Sequence, residues 1–185
     1  MALFGIATSG DDVAVCGKGG TLMRLDLDTQ KFKPTLSGTP NELRACAWDS
    51  SGTLWLAGSF GTLITVDADG NTAFVSSEVG SSFNTMVAGE EGVYVAGDNG
   101  IVIHATADKV TRLADMPGIF LYGVSASAGS AFAAGWNGTI LKLSGDAFVP
   151  EDSGTNVVLE AIWHDETRAI AAGRQGIMLV RTEAP

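Results

Sequence analysis

Apolar residues along the chain fall into short runs that are separated by clusters of Gly, Asp, Asn and Ser. The stretch "LRACAWDSSGTLWLAGSFGTLITVDADGNTAFVSS" (43–77) contains four such runs, divided at "DSSG", "GSFG" and "DADG". Short β-rich runs bounded by turn-forming residues predict antiparallel strands joined by tight turns. No window keeps a helical period with caps. Each unit of this kind is therefore predicted to be a meander of four strands, named A to D.

The segment "VYVAGDNGIVIHAT" (93–106) has four related copies elsewhere in the chain. A period near 40 residues is the signature of a repeat architecture. The pattern predicts five units within one domain spanning 1–185. Their expected bounds are 3–38, 42–77, 82–115, 120–152 and 157–182. The first glycines of the five copies are Gly17, Gly58, Gly97, Gly135 and Gly173.

The second strand of each unit is apolar on both faces, as in "LWLA" (54–57) and "VYVA" (93–96). A sheet with one wet face would alternate apolar and polar residues, so two apolar faces indicate a sheet that is covered on both sides. Sheets stacked face to face around an axis satisfy this requirement, and four strands in about 40 residues match one blade of a propeller. The predicted fold is an all-β, five-bladed β-propeller.

A second glycine follows strand B by three residues in every unit. Glycine takes a positive φ without steric cost, and Asn-Gly at 99–100 and 137–138 is a strong hairpin signal. This glycine is therefore predicted to form the B–C corner. A phosphate-binding loop would instead lead from a strand into the N-terminus of a helix.

The last unit ends at "IMLVRTEAP", after its third strand. The fifth blade is therefore predicted to be three-stranded, with an open edge at 177–181. Three alternatives stay open. Arg181, Thr182, Glu183 and Pro185 blunt the edge; or a partner or second copy adds a strand through contacts with Ile177, Leu179 and Arg181; or the chain is part of a larger ring.

The repeat form is best seen at "LYGVSASAGSAFAAGWNGTILKLS" (121–144). It resembles the propeller repeat shared by photosystem II assembly factors and by BNR or sialidase-type proteins. The stretch "DADGNTAF" (67–74) also resembles a degenerate Asp box, with Asp69, Gly70, Thr72 and Phe74 in register. The resemblance implies a propeller fold. It does not imply one activity, because such repeats serve many functions.

The composition excludes several classes of partner. A net charge of −10 opposes binding to nucleic acid or anionic membranes, since that affinity depends on Lys and Arg. No apolar run is long enough to span a bilayer, and "MALFGIATSGDD" lacks the pattern of a signal peptide. The chain is expected to be soluble, and to work in the cytoplasm or as part of a phage particle.

The sequence predicts structural roles for the cysteines and histidines, the residues most often used in catalysis and metal binding. Cys16 and Cys46 align with small or apolar residues of the other units, so both are predicted to be buried fillers without a disulfide or metal role. His104 is predicted to be a solvated strand residue. His164 is predicted to begin a turn, with a metal site as the weaker alternative. No sialidase-type set of an arginine cluster, a Tyr and an acid can be assembled. No enzyme activity, cofactor or metal is expected.

One end of the predicted propeller carries residues that differ between units, whereas the scaffold positions repeat. In propellers the B–C corners and the starts of the A strands lie at the same end of the central channel, and recognition usually resides in such variable positions on a fixed scaffold. The predicted binding face consists of Phe4, Lys18, Arg44, Phe60, Asn84, Asp98, Tyr122, Trp136, Glu160 and Arg174.

These observations predict a non-enzymatic protein-interaction or structural module. It would be a component or assembly factor of a larger complex, with a part of a phage virion as one setting. A lectin-like, glycan-binding propeller is the first alternative, because exposed aromatic rings flanked by polar groups suit a sugar as well as a protein. A glycoside hydrolase-like enzyme is the second.

Overall fold

The computed structural model describes residues 1–127 and 129–182. In this part of the chain the strands form five antiparallel sheets in chain order, four of four strands and a last one of three. Sheet 1 contains β1 (Leu3–Ser9), β2 (Asp12–Gly17), β3 (Leu22–Asp26) and β4 (Lys31–Thr35). Sheet 2 contains β5 (Leu43–Trp48), β6 (Leu54–Gly58), β7 (Leu63–Val66) and β8 (Thr72–Phe74). Sheet 3 contains β9 (Phe83–Ala88), β10 (Val93–Gly97), β11 (Val102–Ala105) and β12 (Val110–Ala114).

Sheet 4 contains β13 (Leu121–Ser127), β14 (Ser130–Gly135), β15 (Ile140–Ser144) and β16 (Ala147–Glu151). Sheet 5 contains β17 (Leu159–His164), β18 (Arg168–Gly173) and β19 (Met178–Thr182). The predictions of an all-β fold, of four-stranded meanders and of a three-stranded last sheet are confirmed. Glu183 and Pro185, two of the four residues predicted to blunt the open edge, lie outside the described residues.

The B–C corners follow the predicted glycine rule. At Gly20 and Gly61 the φ angles are +70° and +64°. An added Cβ would lie 1.7 Å from the carbonyl oxygen of Thr39 at the first position and 1.8 Å from that of Val79 at the second. Both the backbone conformation and the close approach of the next segment therefore require glycine.

Successive sheets pack face to face through their apolar residues. We call the face of a sheet that is turned to the next sheet its trailing face, and the opposite one its leading face. Between sheets 2 and 3, Trp55 on the trailing face packs in one cluster with Phe83, Val95 and Ile103 on the leading face. Similar clusters join the other neighbouring sheets. Cys16 and Cys46 are buried in the first of these junctions, as predicted.

The inner strands β1, β5, β9, β13 and β17 pack against one another in that order. Within the described residues, β1 and β17 do not pack together in the way that successive inner strands do. The structure therefore presents five sheets in succession, with one uncovered face at each end. The alternative that the chain forms part of a larger ring stays open.

The two histidines have different settings. The prediction that His164 begins a turn was wrong, because it is the last residue of β17 and only 4% exposed. Its backbone N–H donates to Ser125 Oγ at 3.1 Å, and its Nδ1 lies 2.9 Å from the same oxygen. His104 lies in strand β11, as predicted, and is half-buried, with its ring stacked on Tyr94 at 4.6 Å between centroids.

Burial of His164 predicts that acid destabilises the fold. Burial lowers the pKa of His164, and this effect outweighs the nearby Asp165 carboxylate and the hydrogen bonds that raise the pKa. The unfolded chain binds a proton near pH 6.5, whereas the folded chain resists it, so stability should fall as the pH drops from about 7 to about 5.5. Urea unfolding at a series of pH values measures this fall. It should shrink in His164→Gln and persist in His104→Gln. An unchanged pH slope in His164→Gln would contradict the assignment.

Candidate functional site

The predicted binding residues lie where each B–C corner meets the start of its own inner strand. The backbone N–H of Ser59 donates to the Glu42 carbonyl oxygen at 2.9 Å, and that of Trp136 donates to the Phe120 carbonyl oxygen at 2.7 Å. The other three sheets make the equivalent bond. The corners and the strand starts therefore form one end of the molecule, which we call the corner face.

The second position of every inner strand is a β-bulge. The pairing between inner strand and second strand skips one residue in each sheet, so that this residue has no partner across the ladder. A bulge bends the strand and redirects a side chain, and bulges are enriched beside functional sites. The sequence located these positions by their variation between units, but not the bulge, because register is not visible in a single strand. The bulged residues are Phe4, Arg44, Asn84, Tyr122 and Glu160.

Three of the predicted residues form a hydrogen-bonded row, which we call the polar row: Arg44, Asn84 and Asp98. Arg44 Nη1 donates to Asn84 Oδ1 at 2.6 Å, and Asn84 Nδ2 donates to Asp98 Oδ1 at 2.8 Å. Asn84 Nδ2 also donates to the Leu121 carbonyl oxygen at 3.1 Å. Arg44 Nε is paired with Glu42 Oε1 at 2.9 Å. This row ties sheets 2, 3 and 4 together on the corner face.

Tyr122 continues the polar row towards sheet 5. Burial raises the pKa of the Tyr122 hydroxyl, and the Glu160 and Asp98 carboxylates raise it further, whereas Arg174 acts in the opposite direction. Arg174 Nε donates to Glu160 Oε1 at 2.7 Å. Tyr122 therefore lies within the electrostatic range of groups on both neighbouring sheets. Five of the ten predicted residues are therefore joined by hydrogen bonds in two groups, Arg44 with Asn84 and Asp98, and Glu160 with Arg174.

Phe60 is held in a backbone conformation that its side chain disfavours. Its φ is +58°, and its side chain is 76% exposed. The left-handed region costs an ordinary L-residue about 1–2 kcal/mol, and it is a rare place for a bulky side chain. The equivalent residues in the other four sheets are a glycine, two asparagines, which tolerate this region better, and a glutamine. They are Gly19, Asn99, Asn137 and Gln175.

A second exposed aromatic group lies at the corner of sheet 4. The Trp136 and Phe120 rings meet edge to face with 6.5 Å between their centroids, and they are 46% and 38% exposed. Phe120 was missed by the sequence analysis. It precedes its strand and forms an isolated bridge with Asp98, a contact between sheets that no local pattern signals.

Sheet 1 contributes less to this arrangement. Phe4 and Lys18 occupy the equivalent positions and are exposed. Among the described residues, no hydrogen bond joins the side chain of Lys18 to the polar row. The assignment of all ten residues to one binding surface stays a prediction.

The side chains predicted to contact a partner at the open edge are directed to sheet 4 instead. Ile177 and Leu179 pack against Ala134 and Leu159 in the junction between sheets 4 and 5. Arg181 Nη1 lies 3.3 Å from Glu151 Oε1, and its guanidinium lies over the Phe132 ring. A partner strand at β19 would therefore rely on its backbone groups.

No family model matches the chain, and no curated protein sequence matches it. Solved structures do match. Virginiamycin B lyase from Staphylococcus aureus is 13% identical with a TM-score of 0.78, over 99% of this chain and 70% of that chain. The WD40 propeller domain of Doa1 is 14% identical with a TM-score of 0.80, over 97% and 64%. The propeller domain of Cps50 (Swd1) from Myceliophteria thermophila is 13% identical with a TM-score of 0.69, over 95% and 63%.

These likenesses show the fold alone: the chain is similar to β-propeller proteins. It spans about two thirds of the length of these structures. The narrower resemblance to photosystem II assembly factors or BNR proteins stays a prediction. In the described residues, no group of three or more His, Cys, Asp or Glu side chains is placed to hold a metal ion. None of the helical segments described could cross a membrane.

The polar row predicts an unequal effect of two asparagine substitutions. Asn84→Ala removes hydrogen bonds that connect three sheets and leaves part-buried partners unpaired, so it should lower the free energy of unfolding by about 1–3 kcal/mol. Asn71→Ala is the control, since its side chain bonds only within an exposed turn. Urea unfolding measures both. Equal losses would mean that the polar row does not connect the sheets energetically.

Proposed function

We propose that this chain is a non-enzymatic protein-interaction module, a component or assembly factor of a larger complex, and that its partner binds the corner face. Phe60 carries the proposal. A bulky apolar side chain, 76% exposed, is displayed to solvent by a backbone in the left-handed region. Residues held in such conformations cluster at ligand clamps and switch regions.

The remainder of the corner face supports the same role. Protein hot spots are enriched in aromatic residues and arginine, with polar groups fixed in advance around them. Here Trp136 and Phe120 supply rings, and the polar row holds Arg44 in place through two partners. The WD40 domains among the similar structures support a protein partner by analogy. A lyase is among them too, so the fold alone favours neither role.

The histidines support a binding role over acid–base catalysis. His164 is buried between sheets 4 and 5, and His104 stacks on Tyr94, away from the corner face. On the corner face itself, Arg44, Asp98 and Glu160 are held by hydrogen bonds to neighbouring side chains. We propose the cytoplasm or a phage particle as the setting of the module.

Replacing Phe60 should raise the stability of the fold and weaken binding of the partner. Phe60→Asn places a residue that tolerates a positive φ at this corner, so the free energy of unfolding should rise by about 1 kcal/mol, with the melting temperature about 2–4 °C higher. The matched control is the reverse exchange in sheet 4, Asn137→Phe, which should lose a similar amount. Thermal and urea unfolding measure both changes. A loss of stability in Phe60→Asn would remove the argument that Phe60 is retained for binding.

Binding is tested by capture from a candidate host with the chain immobilised. A partner that uses the corner face should be recovered by the wild type and by Phe74→Ser, an exposed aromatic on the outer strand of sheet 2. It should be lost with Phe60→Asn and with Trp136→Ala. The proposal fails if both corner variants retain every protein that the wild type captures.

A glycan is the second candidate ligand, since Trp136 with Phe120 offers an exposed ring face. A glycan array that compares the wild type with Trp136→Ala separates the two hypotheses. A lectin should give a signal that Trp136→Ala abolishes. Absence of a signal from both proteins would eliminate the glycan hypothesis and leave the protein partner.

A further inference from the structure

Sheet 1 exposes, at its leading face, positions that form the core elsewhere. Leu3 is 47% exposed and Ile6 is 67% exposed. The residues that occupy the position of Leu3 in the other sheets are fully buried: Leu43, Phe83, Leu121 and Leu159. Leu3 and Ile6 are thus core residues by their place in the repeat, but they face solvent.

The strand register shows that this apolar face extends over all of sheet 1. Ile6 is paired with Val15, Val15 with Met23, and Met23 with Pro34, so these side chains form one row. Paired residues point to the same side of a sheet. A parallel row ends in Leu25 and Phe32, and Phe32 is 40% exposed.

The trailing face of sheet 5 is also an exposed apolar surface. One row consists of Trp163, Ile170 and Val180, and a second contains Ala172 and Met178. Trp163, Val180 and Met178 are 48%, 60% and 68% exposed. The residues at the position of Met178 in sheets 1 to 3 are at most 2% exposed: Leu22, Leu63 and Val102.

Terminal units of repeat proteins normally present a polar outer face, because an apolar one associates. In the described structure the uncovered faces of sheets 1 and 5 are both apolar, which marks them as interaction surfaces. At every internal junction a trailing face packs on a leading face, so one molecule carries both halves of that contact. We propose that the trailing face of sheet 5 binds the leading face of sheet 1 of a second copy of this chain.

Trp163 distinguishes this contact from the internal junctions. Its position holds smaller side chains in the other inner strands, namely Ala7, Ala47, Val87 and Ser125. Inner strands approach closely two residues before this position, where a Cβ on Gly5 would lie 3.2 Å from the Ala45 Cα. Trp163 is too large for that spacing, so the second copy docks at a wider spacing and at its own angle. It does not continue the succession as a sixth sheet of the same ring.

The proposed contact is head-to-tail, so it leaves one leading and one trailing face free in a dimer. Such heterologous contacts form closed rings only when the rotation between copies permits, and otherwise they grow. Dimers and larger species should therefore appear with rising concentration. The contact uses neither the corner face nor the edge of β19, and it stands independently of the proposed function.

Sedimentation velocity and light scattering over a concentration series test the contact. Ile6→Lys and Met178→Lys each place a charge on one end face, at a side chain already exposed, so folding should be retained. Each variant alone should be a monomer where the wild type associates. Phe74→Lys, at a 64% exposed position of sheet 2, is the charge-matched control and should associate as the wild type does. Circular dichroism and thermal unfolding confirm that each variant is folded.

Mixing the two variants tests the direction of the contact. Ile6→Lys keeps an intact sheet 5 face, and Met178→Lys keeps an intact sheet 1 face. An equimolar mixture should therefore form a heterodimer of twice the monomer mass and nothing larger. The double variant should bind neither.

Three results would overturn the proposal. One is a wild type that stays monomeric at every concentration. Another is association that survives both lysine variants, which would indicate pairing at the β19 edge instead. The third is a mixture that stays monomeric although each parent variant is folded, since the mixture still brings one intact face of each kind together.

Discussion

The structure depends on the burial of each apolar sheet face against the next sheet. A single small antiparallel sheet is barely stable in water, and here both faces of each sheet are apolar, so a sheet needs a neighbour on each side. Trp55, Phe83 and Leu121 are among the side chains buried in this way. Burying a side chain of this size contributes about 1.5–3 kcal/mol. Sheets 2, 3 and 4 are covered on both faces, whereas sheets 1 and 5 are covered on one face only.

The repeat itself made the scaffold predictable from the sequence. Glycines such as Gly20 and Gly61 are fixed by positive φ and by the approach of the next segment, so they recur at a constant period and mark every corner. The three-stranded last sheet followed from where the apolar runs stop. The sequence could not predict whether sheet 1 packs against sheet 5. Ring closure depends on the angle between the sheets at each junction, and that angle leaves no local pattern in the sequence.

The candidate site was predictable in position but not in geometry. Variation between units indicated Arg44 and Asn84, yet the bulges that direct them depend on the register between two strands. Phe120 was missed because its importance lies in contacts with Trp136 and Asp98, which are distant in sequence. His164 was misplaced for a similar reason: its burial comes from sheet 4, through Ser125 and Phe132.

Strain and exposure have different consequences in this chain. The strain at Phe60 is local, and about 1–2 kcal/mol is small beside the burial at even one junction, so the scaffold tolerates it. Exposure at the ends is not local, because Leu3, Ile6 and Met178 belong to faces that only another sheet can cover. An exposed corner residue such as Phe60 can therefore change at little cost to the fold, whereas Asn84 in the polar row cannot. The end faces carry the same apolar pattern as the internal junctions although no sheet of the described structure covers them, so a polar residue there should change association and leave the fold intact.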